Sequence, residues 1–163
     1  MDKEATIRQA QELRRQDELE ASQALLLELL DAHPEDALVL FEVGGAYDVL
    51  EEVDTAIQYY KEALLRGLRG AERRECLICL GINQRAVGEF ETAVLTLEDA
   101  AQQFPDSTAI RAFLALAHYS NGDDDKAVQL LLDLLLQTTQ DEEIKLFADT
   151  LDFYKDNLDE VWE

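Results

Sequence analysis

Two thiols, Cys76 and Cys79, stand in a Cys-Leu-Ile-Cys spacing that suits either zinc ligation or a dithiol redox couple. Zinc takes four protein ligands at a structural site and about three at a catalytic one, and the only histidines, His33 and His118, lie far away in the chain. A thioredoxin-like centre puts its first cysteine at a helix N-terminus after a strand, and no stretch here reads as a strand. With Leu77, Ile78 and Leu80 around them, the cysteines are expected to pack as small hydrophobes. Asp123, Asp124 and Asp125 imitate the start of a calcium loop but lack its alternating ligands and closing glutamate, so they read as the acidic first turn of a helix. Few serines and histidines leave few nucleophile and base pairs, and the carboxylates fall at helical spacings typical of solvated faces. No cofactor, metal or catalytic residue is expected, and the chain is not expected to be an enzyme.

Composition narrows the partners. The 163 residues carry a net charge of −22 and a pI near 4.2, which disfavours nucleic acid and anionic membrane surfaces, since both need a cationic face. Hydrophobic residues make up 47% of the chain, enough for a core. The N-terminus, MDKEATIRQAQELRRQ, has charges where a signal peptide would need an apolar stretch, and no run approaches the ~18 apolar residues of a membrane span. Two cysteines without a disulfide framework agree with a reducing compartment, so the expected location is the cytoplasm.

The elements that position these residues are set by a period. From Leu80 to Pro105 small residues fall at Gly81, Gly88, Ala93 and Ala100, with apolar residues between them and a proline at the close. This suits a helix ending near Gly88 followed by a second over 89–103. Counting Gly81 as position 8 of a repeat, Ala115, Gly122, Ala127 and Leu134 occupy positions 8, 15, 20 and 27 after a step of 34 residues. Upstream, Gly44, Tyr47, Ala56, Tyr60 and Ala63 fit if three extra residues lie in the 66–71 link, where Gly67 and Gly70 allow a longer turn. Ala10, Leu13, Ser22, Leu26 and Pro34 form the first and weakest copy. Asp36 and Ser107 are expected to cap helices, and Asn121-Gly122 to end one.

These positions resemble the tetratricopeptide repeat (TPR) family, the second copy, ALVLFEVGGAYDVLEEVDTAIQYYKEAL, most closely. The chain as a whole is most similar to small acidic bacterial proteins of that class. The resemblance covers residues 3 to 141 and implies an all-α fold: a right-handed α-solenoid of four helix pairs in repeats at about 3–36, 37–70, 74–107 and 108–141. A capping helix over 142–163 would complete a single domain of residues 1–163. Leu40, Leu77 and Arg111 replace the frequent tryptophan of position 4, and Glu51 the glycine of position 15; all are expected to keep helical character. In the closing segment Ile144, Phe147, Ala148 and Leu151 imitate a fifth first helix without a second. A solenoid needs its open apolar end covered, so this helix is expected to cap rather than to act as a detachable tail, although Leu158, Val161 and Trp162 extend past the length required.

Positions 4, 7, 8 and 11 of each first helix form the stripe facing its partner helix; in the third repeat these are Leu77, Leu80, Gly81 and Gln84. Positions 2, 5, 9 and 12 form a second stripe, which in the family lines the concave groove where peptides bind. It contains Arg14, Phe41, Asp48, Ile78, Ile82, Arg85, Ala112, Leu116 and Tyr119, with Arg15 beside it. Carboxylate-clamp members of the family have lysine, asparagine and arginine at several of these positions; isoleucine and phenylalanine are prominent here, so chaperone C-termini are not the expected partner. The stripe either packs neighbouring first helices together or binds a partner, as apolar patches of this size do. The expected function is a protein-interaction module with an adaptor or scaffold role, binding an apolar or mixed apolar-acidic peptide, with Arg14, Arg15 and Arg85 drawing in the acids. Shielding of a client's apolar segment, or self-association into a homo-oligomer, is the alternative.

Overall fold

Small residues that recur where paired helices must touch yield helical hairpins. In the computed structural model, which describes residues 2–162, every regular element is an α-helix. In order these are α1 (Lys3–Arg15), α2 (Leu19–Ala32), α3 (Ala37–Val49), α4 (Val53–Leu65), α5 (Gly70–Ala86), α6 (Phe90–Gln103), α7 (Thr108–Ser120), α8 (Asp124–Thr138), α9 (Glu142–Leu146) and α10 (Ala148–Lys155). Met1 and Glu163, the outer ends of the expected span, lie outside the described residues. The chain divides into two compact units, one up to Asn83 and one from Gln84, the division falling within α5. This is an all-α helical-repeat architecture.

In the N-terminal unit the small positions meet as the period requires. Ser22 of α2 donates its hydroxyl to the carbonyl of Ala10 on α1 at 2.7 Å, so the weakest copy replaces a methyl contact by a buried hydrogen bond. In the α3–α4 hairpin a Cβ on Gly44 would stand 2.7 Å from the Tyr60 ring. Tyr60, Ala56 and Ala63 are buried there with Leu40, Ile57 and Leu80, and Tyr47 stacks on Tyr59 with centroids 5.4 Å apart. Asp36 caps α3 through the amides of Leu38 and Val39, as its position after Pro34 suggested.

In the C-terminal unit Ala93, Val94 and Leu97 of α6 pack against Leu114 and Ala117 of α7. Gln84 at position 11 is buried, and its carbonyl oxygen accepts the Thr96 hydroxyl at 2.6 Å. His118 occupies the same position of the last repeat and is buried between Glu98 at 3.8 Å and Asp123 at 3.4 Å. Ser107 caps α7 through the amide of Ile110.

Three expectations need correction. The extra residues ahead of the third repeat do not lengthen a turn; they extend α5 to 17 residues, against 13 in α1, α3 and α7. Glu51 is not helical: with φ 62 it takes the left-handed turn that Gly88 and Gly122 take at 85 and 83, and Asp17 does the same at 65. Finally, the cap is not one helix over 142–163. Phe147 interrupts it after five residues, and α10 ends at Lys155. The break lets α10 pack on α8, where Gln129 donates to Asp156 at 2.6 Å and Lys155 lies 3.5 Å from Asp133. Beyond Lys155, Asn157 bonds the carbonyl of Phe153, a local bond that competes with helix. Trp162 then folds back to stack on Phe153 and donate to the Tyr154 hydroxyl.

Because the Gly44 contact is with a packed ring, Gly44→Ala is expected to cost about 1 to 3 kcal/mol, read as a lower urea midpoint in an otherwise helical spectrum. An unchanged midpoint would mean that the ring yields.

Candidate functional site

The first helices of the N-terminal unit present two adjoining clefts. One, of about 350 Å³, is lined by Gln11, Arg14 and Arg15 of α1, Phe41, Glu42 and Asp48 of α3, and Glu75 and Cys79 of α5. The other, of about 320 Å³, shares Gln11, Phe41, Glu42 and Glu75 and adds Glu4, Ile7, Arg8, Leu38 and Glu72. Glu42, at the floor of both, is only 5% exposed. It accepts from the Gln11 amide at 2.7 Å and lies 3.5 Å from the Arg14 guanidinium, which also reaches the Glu42 carbonyl at 3.3 Å. Burial pushes the Glu42 carboxyl above the usual carboxylate range, against the opposing pull of Gln11 and Arg14.

Gly45 has a role distinct from that of Gly44. A Cβ on it would stand 3.1 Å from a terminal nitrogen of Arg14, so the missing side chain is what seats the guanidinium over α3. The Nε of Arg14 is buried without a hydrogen-bond partner. Asp48 accepts the Tyr60 hydroxyl at 2.8 Å, and burial raises that phenol's pKa. The thiols are equally withdrawn: burial pushes Cys76 up to about 12 and Cys79 up to about 11. The Cys76 thiol donates to the carbonyl of Tyr60 at 3.5 Å. Among the described residues no group of three or more His, Cys, Asp or Glu is placed to hold a metal ion.

The structure brings Arg14, Arg15, Phe41 and Asp48 together on the first cleft. Ile78 and Ile82 are half-buried on α5. Phe41 was expected on the stripe that lines the groove; it is 8% exposed and belongs to the core, its ring 6.0 Å from that of Tyr60. The arginines are engaged within the chain: Arg14 as above, Arg15 with Glu12 at 2.6 Å. In the C-terminal unit Arg85 donates to the Ser120 hydroxyl at 2.8 Å and to the Leu116 carbonyl at 3.3 Å. There Ala112 is half-buried, while Leu116 and Tyr119 of α7 are 41% and 63% exposed. Sequence reasoning missed Glu42, Glu72 and Tyr60 as lining residues. Glu42 did leave a sign, as the one acid in the apolar run LVLFEVGG.

This fold defines a helical-hairpin repeat protein. The chain belongs to the tetratricopeptide repeat family, whose model "Tetratrico peptide repeat" matches residues 37–142. A tetratricopeptide repeat protein from Parabacteroides merdae has a similar structure, with a TM-score of 0.75 at 18% identity over 93% of this chain. This chain spans 58% of that protein's length. YrrB, described as a TPR protein with an unusual peptide-binding site, matches with a TM-score of 0.74 at 21% identity over 97% of this chain and 80% of its own. MamA from Desulfovibrio magneticus RS-1 matches at 0.75 and 16% identity, over 96% and 88%. At these identities the likeness shows the fold alone. Comparison with curated proteins found no match. No helix among the described residues is long and apolar enough to cross a membrane.

Two outcomes follow from the buried groups. Because burial raises the Glu42 pKa in the folded state, that group favours folding while it holds its proton and opposes it at higher pH, where it must ionise in place. Arg14→Met removes a counter-charge and raises the value further. The variant is therefore expected to lose on the order of 1 to 3 kcal/mol at pH 7, and less relative to the parent as pH falls through the raised value, measured by urea unfolding at pH 7 and pH 4.5. With thiols raised to about 12 and 11, both cysteines are expected to react with iodoacetamide at pH 8 at least about a hundredfold more slowly than free cysteine, Cys76 the slower of the two. Reaction at the free-cysteine rate would show open access and an unraised thiol.

Proposed function

We propose that the chain is a protein-binding module, acting as an adaptor or scaffold, whose first-helix faces receive an apolar segment of a partner. The observation that carries this reading is on α7: Leu116 and Tyr119 stand exposed while Leu114, Ala115, Ala117 and His118 beside them are buried. Large apolar side chains at successive positions of the stripe, one turn apart, are the surface that an amphipathic partner covers. The family supports binding in general, and YrrB is a relative by fold described as having a peptide-binding site. The acidic part of the expected segment loses its motive, because Arg14, Arg15 and Arg85 already have intramolecular partners. Two free, unpaired cysteines are consistent with a cytoplasmic setting.

Self-association is the second reading, favoured by the apolar side chains that α8 and the tail leave open: Val128, Leu131, Leu135, Leu146 and Phe147 are 43%, 45%, 38%, 77% and 56% exposed. Sedimentation of the purified chain separates the two, because a homo-oligomer needs no added partner. Leu116→Glu with Tyr119→Glu is expected to abolish capture of a protein retained by the parent chain, with a change in stability within about 0.5 kcal/mol. Leu95→Glu, equally exposed but on the second helix α6, is expected to retain it. Loss with Leu95→Glu alone would move the site to the other face.

A further inference from the structure

We infer that His118 is a pH-sensitive clasp in the C-terminal unit: while its ring carries both protons it ties α6 to the turn between α7 and α8, and when the ring gives up a proton that turn loosens. This concerns a response to pH and does not rest on the protein-binding reading.

The His118 side chain is buried, so its polar atoms must find their partners within the protein. Its Nδ1 lies 3.4 Å from Asp123 and its Nε2 lies 3.8 Å from Glu98, so both ring nitrogens face carboxylates. A neutral imidazole has one N–H and one lone pair. Whichever nitrogen kept the proton, the other would turn its lone pair toward an acid; only the ring with two protons suits both. The last turn of α7, where His118 sits, also favours a cation through its aligned peptide dipoles.

Asp123 is turned for this contact. Of the residues that precede the second helices, Glu18, Glu52, Glu89 and Asp123, the aspartate alone is of a type that readily caps a helix. Yet its carboxylate makes no capping bond to α8; it faces His118 and accepts from the Asn121 amide at 3.3 Å. The bonds from His118 and Asn121, with the charge of Lys126 nearby, hold the Asp123 carboxyl below the usual carboxylate range, so it stays ionised where imidazoles titrate. The charged groups around the ring are therefore Glu98 from α6 and Asp123 from the turn, with Lys126 of α8 beside Asp123. The residue at the same position of the preceding repeat, Gln84, accepts the Thr96 hydroxyl, a neutral bond that pH leaves alone. Because the clasp needs the charged ring, its contribution is present at low pH and is lost as pH rises through the imidazole range of about 5 to 8.

The test is hydrogen exchange of the full chain, followed by mass spectrometry at pH 5.5 and pH 8 and corrected for the intrinsic dependence of exchange on pH. Protection of residues 124–130 is expected to fall at least about threefold from the lower pH to the higher. His118→Gln is expected to remove that fall, and Glu98→Gln, at a half-exposed side chain, to reduce it by at least about half. His33→Gln, at the other histidine, is expected to leave it intact. If His118→Gln does not fold, Glu98→Gln and Asp123→Asn decide the matter. Equal protection at both pH values in the parent chain would overturn the inference, and so would a fall that persists undiminished in Glu98→Gln and Asp123→Asn or disappears in His33→Gln.

Discussion

The ring of Tyr60 lies where any side chain on Gly44 would have to be, 2.7 Å from an added Cβ. That close approach of paired helices determines much else. With backbones so near, positions 8 and 20 can hold only small residues, and Ala10, Ser22, Ala56, Ala93, Ala115 and Ala127 are all buried. Larger residues are then confined to the flanks of the contact, where Leu26, Leu29, Leu97 and Ile110 are fully buried. A hairpin so locked has used one side of its first helix. Whatever the other side carries is available either to the next first helix or to a partner.

Charge has little part in holding the hairpins. Exposed ion pairs within one helix, such as Arg15–Glu12 and Arg66–Glu62, contribute at most about 1 kcal/mol. Glu42 is the exception, because a carboxylate at 5% exposure needs its partners in place. Those partners require the neighbouring backbone to be bare, which is why Gly45, on the opposite flank from the hairpin contact, is also a glycine. Two adjacent glycines thus serve two different approaches, one of helix to helix and one of guanidinium to helix.

The hairpins could be read from the sequence because the close approach leaves small residues at a fixed period. The turns were less legible. Gly88 and Gly122 announce a left-handed residue, and Asp17 belongs to a type that tolerates one, but Glu51 adopts the same conformation without any compositional sign. The break at Phe147 was hidden because Ile144, Phe147, Ala148 and Leu151 keep the spacing of a first helix, and what redirects the chain is packing of α10 on α8, a tertiary contact. Within the candidate site the stripe positions were legible, but not their burial. Whether Phe41 is floor or free surface depends on which helix covers it, and whether Arg14 is available depends on Glu42, 28 residues away.

This dependence on cover explains why the same stripe behaves differently along the chain. At positions 9 and 12 the earlier repeats have Gln11 and Arg14, Gly45 and Asp48, Ile82 and Arg85, all half-buried. In the last repeat the equivalents are Leu116 and Tyr119, both exposed and both large. The element that follows in sequence where a fifth first helix would begin is α9, only five residues long, and of the two tail helices it is α10 that packs on α8. The α7 face therefore leaves Leu116 and Tyr119 open to solvent. In water, burial of such side chains is favourable by roughly 25 cal/mol for each Å² removed from solvent, so the free energy that an additional repeat would have gained internally is available to whatever packs on α7 from outside.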